Sequence, residues 1–189
     1  MVGVHTTTTD LTGRDDLFFR VIDDTARYAS EVARFHHGPR RVRQVAIVYD
    51  LANVDYSGNW VADYTRTFSA LGGSVVRTIN FDSHYERKYD QMAASLLEVQ
   101  PDMVVIVANA VDTAELAGKI RAQNAHVQLA GCGWANTERL LENGGRLIDG
   151  LLLEEYVDLD DFSDTYQSFR EAFLARFKRE PSYGAAMAF

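Results

Sequence analysis

The sequence has 189 residues, 47% of them hydrophobic, which is enough for one large domain or one and a half small ones with a sizeable core. Its 27 acidic and 19 basic side chains leave a formal charge of -8, which opposes non-specific attachment to nucleic acid or to an anionic membrane and favours small molecules or proteins as partners. It contains no run of about 18 apolar residues to span a membrane and no visible secretion signal, and its single cysteine, Cys132, excludes an internal disulfide framework without fixing the compartment.

Residues 1–14, which hold Thr6 to Thr9 and Gly13, show little periodicity and read as an extended or loop segment ending near Asp15. Asp23 or Asp24 then caps a helix whose apolar residues Ala26, Ala29, Val32, Ala33 and Phe35 recur at three and four, and which Gly38 and Pro39 stop. Arg40, Arg41 and Arg43 read as a solvated helix-to-strand turn rather than an anion site. Val45 to Tyr49 is a nearly all-apolar run of β-formers, the pattern of a strand covered on both faces. Trp60, Val61, Tyr64, Phe68 and Leu71 mark an amphipathic helix closed by Gly72 and Gly73, with Trp60 and Phe68 as core, and Ser74 to Ile79 is the next strand. The order recurs: helix Tyr89 to Val99, strand Met103 to Val107, helix Thr113 to Gln123, strand Val127 to Ala130, helix Asn136 to Asn143, strand Leu151 to Leu153 and helix Phe162 to Lys178. Pro181 breaks that last helix, and the final seven residues read as the opening of another, cut short. Strands alternating with helices predict an α/β fold, three-layer αβα, with a mostly parallel sheet.

In such a sheet the loops that follow the strands emerge at one edge, where open α/β sheets bind ligands. That edge gathers Asp50, Asn53 and Tyr56; Asp82, His84 and Tyr85; Asn109 and Asp112; Cys132, Gly133 and Trp134; and Glu154, Glu155 and Tyr156. Rings, carboxylates and amides together suit a polar organic ligand with amines or hydroxyls, although about half of such residues are ordinary solvated loop positions. Enzyme signatures are weak. Gly131 to Asn136 holds two glycines of a dinucleotide fingerprint but lacks the third, and there is no phosphate-binding loop, so no nucleotide cofactor is expected. Cys132 has no local base and reads as a buried structural cysteine, and the five histidines lack metal-ligand spacing. Asp158, Asp160 and Asp161 lack the glycine and glutamate of a calcium loop and read as N-terminal charges of the following helix.

Taken together, residues 11–20, the strand Val45 to Asp50 with Tyr56-Ser57-Gly58 after it, Leu71-Gly72-Gly73, Pro101 to Val105, Gly150, and Tyr166 to Phe177 before Pro181 resemble the type I periplasmic binding proteins. The likeness is to the branched-chain amino-acid type of ABC transporter substrate-binding protein, and it covers nearly the whole chain. It implies two α/β lobes joined by three crossings, with a ligand closing the cleft between them. On this reading residues 1–20 are the inter-lobe connection and incoming segment, and residues 21–189 are the second lobe, truncated at its C-terminal end, with most of the first lobe absent.

The resemblance further implies a non-enzymatic solute-binding role without a cofactor. The protein would be periplasmic or extracellular, soluble or lipid-anchored, delivering an amino acid or related small polar molecule to a membrane permease. Apolar surface left by the missing lobe would favour pairing as a dimer. A ligand-sensing domain of a receptor or regulator is the alternative with the same fold, and a flavodoxin-like enzyme is a third reading. Tyr56 falls where the family sets an aromatic ring against the ligand, and Thr6 and Thr7 fall where a backbone carbonyl and a hydroxyl grip the amino-acid head group. Asp112 falls near a position that is often aromatic. Gly133 falls where an acidic partner for the ammonium is expected, with Trp134 next to it. With that acid missing, Asp112 is expected to accept from the ligand's ammonium or hydroxyl, while Tyr56 and Trp134 converge with it and pack on the ligand, and Asn109 stands nearby.

Overall fold

A computed structural model describes residues 1–85, 87–158 and 160–189. The structure has the expected three layers. Two short strands, β1 (Val2–Gly3) and β2 (Phe19–Arg20), pair in parallel at the start and precede helix α1 (Thr25–His37). Asp24 caps α1, accepting from the Arg27 N–H, and Gly38 ends it. The main sheet is built from β3 (Gln44–Asp50), β4 (Ser74–Phe81), β5 (Met103–Val107), β6 (Gln128–Gly131) and β7 (Leu152–Leu153), in the order β4-β3-β5-β6-β7. Every pairing in it is parallel. The crossovers are helices α2 (Val54–Ala70), α3 (Tyr89–Glu98), α4 (Ala110–Gln123) and α5 (Glu138–Gly144), and α6 (Asp164–Phe177) and α7 (Tyr183–Ala188) close the chain.

Side chains alternate across the central strands, so each face receives its own core. Val45, Ile47, Met103, Val105 and Val107 meet Ala29 and Ala33 of α1 and the α2 residues Trp60, Val61, Tyr64 and Phe68. The spacing of four in α2 stacks its rings: Trp60 on Tyr64 at 5.2 Å and Tyr64 on Phe68 at 5.4 Å, all fully buried. On the other face Ala46, Val48, Val104, Ile106 and Leu129 pack on Ala93 and Leu96 of α3, on α4 and on Leu140 of α5, a core with scarcely an aromatic ring. Cys132 is buried and free, as its reading as a structural residue anticipates.

The opening segment is extended in part, β1 pairing β2 over two residues. Two local departures from the sequence reading have simple causes. Helix α4 starts at Ala110, three residues early, because Asn109 caps it, accepting from the N–H groups of Val111 and Asp112. Helix α6 starts at Asp164 behind the cap Ser163, so Asp161 lies before the helix and accepts from Ser163 instead of charging the first turn. Among the described residues no helix is long and apolar enough to cross a membrane.

Candidate functional site

The turn that follows β3 is held from inside. Asp50 is fully buried; its Oδ1 accepts from the N–H groups of Ala52 and Ser83, tying the ends of β3 and β4 together. The Ser57 hydroxyl donates back to the Asp50 carbonyl at 2.5 Å, fixing where α2 begins. Asn53, at the start of α2, makes no side-chain cap bond, so the first-turn N–H groups are not capped by it. Tyr56 therefore stands on the first turn of a helix aimed from the carboxyl edge of the sheet.

Around it lies a cleft of about 320 Å³ lined by His5, Thr6, Thr7, Thr8, Ile22, Asn53, Asp55, Tyr56, Trp134, Tyr156 and Tyr183. Five separate stretches supply these residues: the opening segment, Ile22 ahead of α1, the β3–α2 turn, the turn after β6, and the chain beyond β7. The threonine segment is stitched down by its backbone, with the Thr7 carbonyl accepting from the Thr25 N–H at 2.8 Å and the Thr8 carbonyl accepting from Arg20 at 2.9 Å. The aromatic wall is a chain of ring contacts. Trp134 meets Tyr56 edge-on at 5.9 Å, Tyr156 meets Tyr28 at 4.9 Å and Tyr183 at 5.6 Å, and Tyr183 meets His5 at 5.7 Å. The hydroxyls of Tyr56 and Tyr156 share a hydrogen bond of 2.9 Å, and burial pushes both above the ordinary tyrosine range, so both stay protonated.

Of the residues expected to meet a ligand, Thr6, Thr7, Tyr56 and Trp134 line this cleft, while Asn109, Asp112 and Gly133 do not. Asp112 is 1% exposed, and its carboxylate is already occupied by the Tyr89 hydroxyl, by Asn109 Nδ2 at 2.6 Å and by Arg87 Nε at 3.2 Å. It is not among the residues that line the cleft with Tyr56 and Trp134. Asn109 divides its amide between capping α4 and holding Asp112. Gly133 is buried, and a Cβ there would stand 2.3 Å from the Tyr156 ring, so the lack of a side chain admits that ring to the cleft. Asp55 shares the turn after β3 with Tyr56, whereas Tyr183 and His5 had no sequence signal of their own and only the fold brings them to this rim.

A sequence model of the family described as periplasmic binding protein matches residues 1–189. No curated protein matches this chain. Among solved structures, a leucine binding protein from Thermotoga maritima superposes with a TM-score of 0.91 at 21% identity, over 99% of this chain and 53% of its own. A branched-chain amino acid transporter substrate binding protein from Streptococcus pneumoniae, solved with isoleucine, gives 0.85 at 15% identity, over 99% and 53%. A solute binding protein from R. palustris, solved with 4-hydroxybenzoate, gives 0.77 at 20% identity, over 98% and 50%. The chain thus spans about half the length of the structures it resembles. With the family match running from the first residue to the last, and with the parallel sheet and flanking helices of a type I lobe beneath it, this chain belongs to the periplasmic binding protein family.

Proposed function

We propose that this chain forms one wall of the ligand cleft of an extracytoplasmic solute-binding component of an ABC-type uptake system, working with a membrane permease. Its ligand is a small carboxylate with a flat or branched apolar body, an amino acid before any other. The observation that carries this reading is the aromatic cleft itself. Rings from three distant stretches converge beside a threonine segment and the first turn of α2, so one end of the cleft is apolar and the other polar. The carboxylate of the ligand meets the first-turn N–H groups of α2 and the hydroxyls of Thr6 and Thr7. Asp55 on the same turn accepts from the ammonium, the role that Asp112 cannot fill from its buried network, and Tyr56, Trp134 and Tyr156 cover the apolar body. Of the solved relatives, one is a leucine binding protein and two were solved with isoleucine and with 4-hydroxybenzoate, ligands of this shape.

The test is native mass spectrometry of the complete polypeptide from its source, followed by titration calorimetry with amino acids and aromatic monocarboxylates. Trp134→Ala weakens every ligand by about tenfold or more, whereas Asp55→Asn weakens only those that carry an ammonium. Affinities unmoved by both substitutions would remove the cleft from consideration.

A further inference from the structure

A second concavity, of about 390 Å³, lies between α1 and the edge strand β7. Helix α1 turns Tyr28, Glu31, Val32, Phe35 and His36 toward it, at the spacing of one helical face, and β7 with the residues after it supplies Leu152, Leu153, Glu154 and Glu155. Its walls are apolar and its charge is of one sign. Glu31 and Glu155 stand at the surface, Glu31 paired with Arg34 at 3.0 Å and Glu155 accepting from Asn136 at 2.8 Å. The basic group on the lining, His36, bonds through Nδ1 to the Tyr64 hydroxyl, and burial, with Arg40 adding to it, holds it down to about 4, so at neutral pH it carries no charge.

The deep acid is Glu154. It is 7% exposed; Oε2 accepts from Trp60 Nε1 at 2.9 Å, the Gly133 N–H also favours the ionised carboxyl, and Oε1 is buried with no hydrogen-bond partner among the described residues. The titratable groups packed around it are Tyr28 from α1, Tyr56 from α2, Cys132 after β6 and Tyr156 beyond it. Burial raises all four above their ordinary ranges, so each is neutral and none supplies a positive charge. A carboxyl oxygen without a donor, at the floor of an apolar groove ringed by acids, calls for a cation that carries N–H groups and an apolar tail.

We propose that the groove between α1 and β7 is a second ligand site, separate from the aromatic cleft, that binds a primary alkylammonium with its head on Glu154 Oε1 and its chain along Val32, Phe35 and Leu153. The Tyr28 ring beside the acid adds a face for the cation. Burial pushes the Glu154 carboxyl up to about 7, so the empty groove holds it partly protonated, and the bound ammonium draws it into the ionised form with release of a proton.

Titration calorimetry of the complete polypeptide with n-hexylammonium chloride, in two buffers of different ionisation heat, tests this. A single site is expected whose affinity rises about tenfold between about pH 6 and about pH 8, with proton release at the lower end. Hexanoate does not bind there. Glu154→Gln, shown to be folded by circular dichroism, abolishes the pH dependence and weakens binding, and the exposed change Glu31→Lys weakens it without reaching the core. Trp134→Ala, which damages the cleft, leaves hexylammonium binding intact. The proposal is overturned by absence of binding at millimolar amine, by an affinity flat with pH, by wild-type affinity in both acid variants, or by loss of binding in Trp134→Ala. The last result would place the amine in the cleft and leave the reading of the cleft standing.

Discussion

Two corners of the same sheet edge carry the same kinds of side chain and use them in opposite ways. At the corner above β5, Asp112, Asn109, Tyr89 and Arg87 close on one another, and the carboxylate ends 1% exposed. At the corner shared by β3, β6 and the chain beyond β7, Tyr56, Trp134 and Tyr156 touch only by ring edges and one hydroxyl pair, and they leave a cleft of about 320 Å³. Position at the carboxyl end of a parallel strand is thus necessary for a site and not sufficient. What separates the corners is whether the polar groups find partners inside the lobe.

The largest expected effects divide the corners cleanly. Asp112→Ala leaves three donors without their acceptor and costs about 3 to 4 kcal/mol of stability by urea unfolding, while ligand affinity of the folded protein changes by less than about twofold. Trp134→Ala does the reverse, costing about 1 kcal/mol of stability and most of the affinity. If Asp112→Ala abolished ligand binding in a protein still fully folded, the closed corner would have to be part of the site after all.

A smaller effect, carried by pH, sharpens the same comparison, because the α1/α2 layer behind the open corner buries two ionisable groups that oppose each other. Burial raises Glu154 from 4.5 to about 7, with the Trp60 and Gly133 N–H groups working against it. Its neutral form is the native one, so its contribution is complete below about 4.5 and is lost as pH rises to about 7. Burial lowers His36 from 6.5 to about 4, so its contribution is present above about 6.5 and is lost as pH falls to about 4. Each amounts to at most about 3 kcal/mol, and the two slopes cancel between about pH 4.5 and about pH 6.5. Glu154→Gln exposes the histidine slope, with stability falling on acidification. His36→Asn exposes the other, with stability falling toward neutrality. Parallel unfolding series in the wild type and both variants read this directly, and identical slopes in all three would show that neither group titrates on unfolding.

Much of this layout was legible in the residues. The apolar runs of β3 and β5 could only be strands covered on both faces, and the spacing of Trp60, Tyr64 and Phe68 marked them as one buried stripe. The closed corner was misread for a physical reason. Sequence places Asp112 at the sheet edge, but its fate is decided by Tyr89, which reaches it from another helix, a contact no local pattern encodes. Tyr156 could be pooled at the edge, yet its entry into the cleft depends on the missing side chain of Gly133, and Tyr183 and His5 arrive from opposite ends of the chain. Periodicity reports which face a residue takes, whereas a site depends on which long-range partners leave it uncommitted.

The smallest expected effect concerns the bond that joins the two halves of the open corner. Tyr56→Phe removes one hydroxyl of the 2.9 Å pair with Tyr156 and keeps the ring against Trp134. The stability cost is about 1 kcal/mol, since a neutral pair is lost and the Tyr156 hydroxyl, itself half-buried, regains water in part. Tyr156→Phe costs the same from the other side. If the pair acts as one latch, the double variant costs less than the sum of the singles, because the second change finds the bond already gone. Strict additivity would mean that the hydroxyls sit near each other without coupling, and the open corner would then be held by ring packing alone, a looser wall for any ligand to close against.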